Sequence, residues 1–445
     1  MAAERAAKAG GLPRQVWVLL AVAVCLRVAA LGVLDGPDLV SASESGLTAA
    51  NWVAGQGYTF DFYGYRADHP LQSFMPPLFT ALVAACLVTP WPAVAFGAIQ
   101  VALSSLAVLL VYLIAARLAG PTVGLVAAAL TAVYPPFLVL VDQPTVPVLN
   151  TFLLALWLWA TLGLIDRGGW GWAAMAGLAL GLNVLSRPST IGLLGVMFAG
   201  LWLGRERAGR KGWWRPAWPA VAVMGLVVAP WLIRAAAVHG HFVWISTNGG
   251  FNFWNGNNPF TTGSCFDVRV ADLAAYSGEV VAVAEGVTIA QVEPYPLPLE
   301  LRDQVGALDE VALDRALYGA SLAFIRAEPG RWLGLLTQKL VSLWWFRPNV
   351  GRSSGFYQEA WIAPYQILYT GVLIGAVAGL GLSLKRWRRY VVVYGLLAYL
   401  TLVYVAYHAI TRYRWEIEPM LLMLGALALV TGWRALGLGR KVGWG

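Results

Sequence analysis

Long apolar runs broken by short polar turns make up most of the chain. Runs near 16–34, 93–117, 122–141, 144–165, 171–186, 188–204, 216–237, 365–384, 390–410 and 415–435 approach the ~17–25 residues a helix needs to cross a bilayer. Two apolar stretches do not fit as spans. "PPLFTALVAACLV" (76–88) is short. "PGRWLGLLTQKLVSLWWFRP" (329–348) mixes Arg331, Lys339 and Arg347 with Trp332, Trp344 and Trp345, the composition of a helix lying in the membrane interface. Both are expected as surface or re-entrant helices on the outer face. The predicted fold class is an all-α polytopic membrane protein with about 10–11 transmembrane helices.

The basic residues of the short loops set the orientation. Arg5, Lys8 and Arg14, then Arg205, Arg207, Arg210, Lys211 and Arg215, then Lys385, Arg386, Arg388 and Arg389, and lastly Arg434, Arg440 and Lys441 all fall on one side of a ten-span chain. That side is expected to be cytoplasmic, with both termini on it. Residues 1–237 then form an N-terminal transmembrane module with a first outer loop at 35–92. Residues 238–364 form an outer loop region containing the interfacial helix 329–348, and residues 365–445 the C-terminal helices.

Composition agrees. Hydrophobic residues are 59% of the chain and charged residues 12%, against roughly 25% charged in soluble domains. The 22 Trp suit interfacial belts. The net charge of +8 resides in loops between spans and carries no nucleic-acid signal. Cys25, Cys86 and Cys265 make no disulfide framework and no metal-spaced cluster. No cleavable leader pattern stands at the start, so the first run is expected to be retained.

The candidate chemistry gathers on the outer side. Glu44 follows the first span closely, and a carboxylate near the bilayer is costly enough to mark chemistry. Its plainer reading is a helix start, with Ser41, Ser43 and Glu44 capping "SGLTAANWVA". Asp142 stands in a turn between two spans, where a turn residue would also serve. Arg187, Arg234, Arg412 and Arg414 end outer helix segments. Each could snorkel to lipid phosphate, and together they could hold an anionic headgroup through guanidinium forks. Just past Arg234 comes "STNGGFNFWNGNNP" (246–259). So many Asn and Gly disfavour a helix and suit positive-φ turns that aim N–H groups at an anion. Asn amides match sugar hydroxyls, and Phe251, Phe253 and Trp254 could stack on a sugar or lipid tail. A structured loop chosen for turn chemistry alone is the alternative.

In this order the pieces resemble the bacterial GT-C membrane glycosyltransferases, the group of dolichyl-phosphate-mannose–protein mannosyltransferases and aminoarabinose transferases. "ESGLTAANWVAGQGYTF" resembles their first-loop signature, and "MPPLFTALVAA" the helix that follows. "GLALGLNVLSRPS" and "APWLIRAAAVHGHFVWISTNGGFNFWNGNNP" resemble later motifs, the second being the most specific. "FIRAEPGRWLGLLTQKLVSLWW" and "RYRWEIEP" complete the series. The sequence departs from the family where many members carry Asp-Glu around Ser41–Ser45. Here Glu44 takes that place, and Met75 stands where an Arg often precedes "PP".

The resemblance implies transfer of a sugar from a polyprenyl-phosphate donor to a glycan, lipid or protein acceptor on the extracytoplasmic side of a bacterial plasma membrane. It implies Glu44 as base with Asp142 second, and Arg234, Arg187, Arg412 and Lys339 on the donor phosphate. Asn248, Asn252, Trp254 and Asn257 would bind the sugar and lipid head. The only cofactor the resemblance leaves open is a divalent metal ion. A divalent metal ion acting through Glu44 would have His69 and His239 as its nearest further ligands, although a surface role suits both better. Residues 260–328 carry eleven acids between 267 and 328 against four arginines, and are expected to bind acceptor or form a lid. Two other classes fit a polytopic chain: a transporter, which would show repeated halves and midplane charges, and a lipid-binding relative without catalysis.

Overall fold

The computed structural model describes residues 12–34, 36–41, 43–62, 64, 66, 68–208, 214–263, 267–269, 278–284, 287–292, 297–302, 304–344 and 359–437. Arg5, Lys8, Arg210, Lys211, Cys265, Trp345, Arg347, Arg440, Lys441 and part of the acidic stretch lie outside these residues, as do the side chains of Arg205 and Arg207.

Every expected span falls on helix. In chain order the membrane helices are α1 (Arg14–Val33), α4 (Pro92–Ala119), α5 (Pro121–Val133), α7 (Pro147–Arg167), α8 (Trp170–Ser186), α9 (Leu193–Ala208), α10 (Ala217–His239), α15 (Glu359–Leu384), α16 (Trp387–Ala406) and α18 (Glu418–Ala435). The further helices are α2 (Glu44–Val53), α3 (Pro77–Leu87), α6 (Pro135–Val139), α11 (Gly249–Gly256), α12 (Leu299–Arg302), α13 (Glu310–Ala327), α14 (Pro329–Trp344) and α17 (Thr411–Trp415). Among the described residues six helices are long and apolar enough to cross a membrane, and the chain is a multi-pass membrane protein. The remaining expected spans are shorter or interrupted. A 3-10 turn, Pro188–Gly192, precedes α9.

Residues 122–141 are not one span. α5 stops at Val133 and a short α6 follows. The reason is chemical. Pro135 and Pro136 have no N–H, so the carbonyls one turn earlier lose their intrahelical donors. Ala132 is the residue whose carbonyl Pro136 would have served. Arg27, fully buried in α1, supplies a donor instead, its Nη1 standing 3.1 Å from Ala132 O. The same guanidinium donates to Ser104 Oγ at 2.6 Å on α4 and to Ala23 O at 3.0 Å. A cation at the carbonyl end of a helix is also favoured by the helix dipole.

The centre of the bundle is α4 and α7, flanked by α5 and α8. α8 packs on α10 so closely that a Cβ on Gly177 would lie 2.2 Å from Ala220 O. α15 packs on α18, where a Cβ on Gly379 would lie 1.9 Å from Leu424 O. A second apolar core lies on the outer side, built by Phe60, Phe62, Phe74, Phe251, Trp254 and Leu313 with their neighbours. Beside it the acidic stretch contributes a feature the sequence reading did not anticipate: a three-stranded antiparallel sheet of β1 (Asp267–Arg269), β2 (Gly278–Ala284) and β3 (Val287–Val292), ordered β1-β3-β2.

Arg27→Lys keeps the charge but replaces a planar fork with a single point donor. It should cost about 1–3 kcal/mol and lower the thermal unfolding midpoint in detergent. An unchanged midpoint would mean that the fork does not close the broken helix.

Candidate functional site

The start of α2, which carries Glu44, meets the turn that carries Asp142. Glu44 opens α2, behind the N-cap Ser43, whose Oγ accepts from Gly46 N at 3.2 Å. The same hydroxyl donates to Pro144 O at 3.3 Å, so the start of α2 rests on the turn that carries Asp142. Gly46 lets the segment before α2 fold back on the helix, because a Cβ there would lie 2.2 Å from Leu39 O. Asp142 is 7% exposed. The next residue, Gln143, accepts from Gln100 Nε2 on α4 at 3.3 Å.

A second set of polar contacts starts at the beginning of α7. Asn150, one turn into α7, donates to Glu416 Oε1 at 3.4 Å. Glu416 is buried and takes the Arg187 guanidinium at 2.5 Å and the Tyr404 hydroxyl at 3.1 Å. Arg187 lies over the rings of Tyr413 and Tyr404, 4.7 and 5.6 Å from their centres. Tyr413 meets His408 Nε2 at 2.8 Å, and His408 Nδ1 faces Asn252 O at 3.1 Å. A carbonyl can only accept, so Nδ1 carries the proton and Nε2 accepts from Tyr413. The His408 pKa falls to about 4, chiefly through burial and in part through the charges of Lys339, Arg412 and Arg187, against a rise from the Asn252 bond. Three of the four expected phosphate-binding cations thus act on one neutral imidazole.

Their states differ. Arg187 is matched by Glu416. Among the described residues Arg412 pairs with no acid. Lys339 is fully buried on α14 and donates to Asn257 Oδ1 at 2.9 Å. Arg234 stands apart from this group. Its Nη1 donates to Gln72 O at 2.9 Å and Ser73 Oγ at 3.2 Å, and its plane covers Trp231 and Tyr58. It holds the first outer loop in place. Arg414 is also internal, paired with Glu418 at 2.7 Å and donating to Leu343 O at 2.8 Å.

The Asn-rich motif corrects the expectation of turns. Residues 249–256 form a helix, α11. Three amides return to carbonyls four residues back: Asn252 to Asn248 O, Asn257 to Phe253 O and Asn258 to Trp254 O, at 2.7–2.9 Å. The first-turn N–H of Gly250 finds Asp314 Oδ1 at 2.6 Å. The glycines provide clearance rather than positive φ. A Cβ on Gly250 would lie 2.0 Å from Asp314 O, and one on Gly256 1.8 Å from Tyr407 O. Positive φ belongs to the flanking Gly240 and Gly263.

The roles expected within the motif divide accordingly. Trp254 is 3% exposed in the outer core with Phe251, so its ring faces protein rather than a sugar. Asn257 is saturated: Oδ1 accepts from Lys339 and Trp332, and Nδ2 donates to Phe253, Ala406 and Tyr407 carbonyls. Asn248 and Asn252 are half-buried, Asn248 holding Ser246 Oγ at 2.9 Å. Among the described residues no three His, Cys, Asp or Glu side chains gather as a metal would need. His69 is exposed, while His239 Nε2 meets Ser73 Oγ at 2.9 Å, away from Glu44.

His408, Glu416, Tyr413 and Glu310 were not anticipated. The first three sit inside or just before "RYRWEIEP", so proximity to that motif was their available signal. Glu310 opens α13 and accepts from Gln72 N at 2.6 Å, Ser73 N at 2.8 Å and the Thr247 hydroxyl. No sequence feature links it to those partners.

The chain has the GT-C fold. It superposes on the oligosaccharyltransferase of Archaeoglobus fulgidus in a complex with zinc and sulfate (TM-score 0.55, 15% identity, 95% of this chain and 50% of that one). It also superposes on the same enzyme, AglB, with an inhibitory peptide and a dolichol-phosphate (TM-score 0.52, 15% identity, 96% and 52%). It therefore spans about half the length of that protein. ArnT from Cupriavidus metallidurans bound to undecaprenyl phosphate superposes more loosely (TM-score 0.43, 15% identity, 97% and 80%). Residues 68–233 match the family model of dolichyl-phosphate-mannose-protein mannosyltransferases, which bears out the resemblance seen in the motifs. No curated protein sequence matches the chain.

Glu310→Gln leaves one acceptor oxygen facing two backbone donors. Docking of the first outer loop should weaken by about 2 kcal/mol, and limited proteolysis between residues 60 and 75 should accelerate. Unchanged cleavage would remove Glu310 from this role. Asp314 gives a pH signature. Burial raises its pKa from 3.8 to about 6, against the pull of the Gly250 N–H. The folded state binds this proton more tightly than the unfolded one, so its contribution is complete below about pH 4 and lost as pH rises through about 6. The loss amounts to about 2–3 kcal/mol. Asp314→Asn should flatten that slope in hydrogen exchange of α11, and a slope that persists would assign it elsewhere.

Proposed function

We propose that the protein is an inverting glycosyltransferase that moves a sugar from a polyprenyl-phosphate donor to an acceptor on the extracytoplasmic side of the membrane. The observation that carries this reading is the presence of two polar sets. One brings the start of α2, with Glu44, against the turn that carries Asp142. In the other, Lys339, Arg412 and Arg187 act on His408. A base and cations are what displacement of a phosphate by a hydroxyl requires. The family match and the fold support the same class.

The reaction is a single displacement. An acceptor O–H attacks the anomeric carbon, and its proton passes to the Glu44 carboxylate or, second, to Asp142. The bond from that carbon to the phosphate oxygen breaks, and the oxygen keeps the electron pair. Attack opposite the leaving group inverts the centre. Lys339 and Arg412 meet the charge that develops on the phosphate. Arg187, neutralised by Glu416, stiffens Tyr413 and contributes less net charge. Arg234 keeps the first loop, and with it α2, at the site. Among the described residues no three His, Cys, Asp or Glu side chains gather at Glu44, and the carboxylate is written as the base.

A transfer assay in nanodiscs tests this reading. It would use a panel of radiolabelled polyprenyl-phosphate sugars with a membrane extract as acceptor. Wild type should move label into the extract. Glu44→Gln should slow transfer about 10²–10⁴-fold without loss of donor binding. Loss in Asp142→Asn with full activity in Glu44→Gln would reassign the base. Saturable donor binding without transfer from any donor would favour a lipid-binding relative instead.

A further inference from the structure

We propose that Lys339 follows the charge on the bound phosphate, standing largely neutral beside the donor diester and taking up one proton as that group becomes a monoester. The inference rests on the reading proposed above and adds a discrimination between donor and product to the same site.

The surroundings of Lys339 carry the argument. It has no exposed surface, and its one hydrogen-bond partner is a neutral amide oxygen, Asn257 Oδ1, which it shares with the Trp332 indole N–H. As a neutral amine it keeps one N–H for a ligand, and on protonation it offers two. Among the described residues no carboxylate pairs with it. His408, on the turn before α17, feels the charges of Lys339, Arg412 and Arg187 and is itself neutral. The nearby acids are spent: Glu416 on Arg187, Glu418 on Arg414, and Glu328 on Arg331 in the first turn of α14 itself. A lysine buried without a counter-ion keeps its proton poorly, and burial brings its pKa down to about 7.

The chemistry of the leaving group gives this a use. The donor phosphate is a diester with one negative charge. The product is a monoester whose second ionisation lies near pH 6, so it carries two charges at neutral pH. A permanently charged residue would attract both. A residue that gains its proton only as the second charge appears attracts the later state more than the earlier, and catalysis uses that kind of difference. The balance closes: the acceptor proton goes to the base carboxylate, the phosphate oxygen keeps the broken bond's electrons, and Lys339 takes a proton from solvent. It returns that proton when the prenyl phosphate leaves.

The test is calorimetry of the full-length protein in nanodiscs at pH 8, in buffers of different ionisation enthalpy. The two ligands are farnesyl phosphate and its methyl ester. At this pH free farnesyl phosphate is already doubly charged. Its binding should take up close to one proton, and binding of the methyl ester much less. Between pH 8 and 9 the affinity for farnesyl phosphate should fall about tenfold, with a shallower fall for the ester. Lys339→Met should lose the uptake and the preference. Phosphorus NMR of the wild-type complex should report a doubly charged phosphate, a readout that needs no variant. Binding without proton uptake, or a singly charged bound phosphate, would overturn the role of Lys339 while leaving the phosphate site in place. Failure of both ligands to bind would instead remove the phosphate site.

Discussion

The Asn257 amide is fully buried, yet none of its hydrogen-bonding capacity is wasted. Its oxygen receives Lys339 and Trp332 from α14, and its nitrogen reaches the Phe253, Ala406 and Tyr407 carbonyls on α11 and the end of α16. An unmade hydrogen bond in such a place costs more than a made one returns, so three elements far apart in the chain are held to one geometry. The cations follow from it. α14 can present Lys339 to the site only where Asn257 will accept it, and α16 must end where Asn257 can donate. The His408 turn lies immediately beyond.

A second constraint shapes the interior. Without water, each buried guanidinium must find acceptors in protein, and each buried carboxylate must find donors. Arg187 and Arg414 find Glu416 and Glu418, two residues apart on one short segment. That segment crosses the bundle between the Asp142 turn and α14, so the pairs that satisfy electrostatics also fix the distance between the two ends of the site. Glu310 does similar work outside, drawing Gln72, Ser73 and Thr247 onto the start of α13.

Apolar run length was enough to locate every membrane helix, because burial in lipid demands it over a whole segment. It failed at 122–141, where Pro135 and Pro136 interrupt a run that hydrophobicity alone reads as continuous. The Asn-rich motif was misread for a related reason: helix propensity counts the cost of Asn but not the amide-to-carbonyl bonds that Asn252, Asn257 and Asn258 make with their own helix. The strands at 278–284 and 287–292 show a short apolar run in β2 and a brief alternation in β3, too little pattern to stand out among the acids of that region. The positions of the cations at helix ends could be read from the chain. Their division could not, because whether Arg187 is neutralised depends on Glu416, 229 residues away. The same limit hid the engagement of Arg234 with the first loop, since Ser73 precedes it by 161 residues.

Arg27 has a consequence for how the protein is made. It lies within α1, a helix apolar and long enough to cross the bilayer, where an arginine near the centre costs about 2.5–3.5 kcal/mol to insert. Its acceptors, Ser104 and the Ala132 carbonyl, come 77 and 105 residues later. At about 5–20 residues per second, the ribosome leaves that charge without its final partners for several seconds or longer. Insertion of α1 is therefore provisional until the broken helix arrives, and the order of synthesis makes α5 the segment that commits α1 to the membrane.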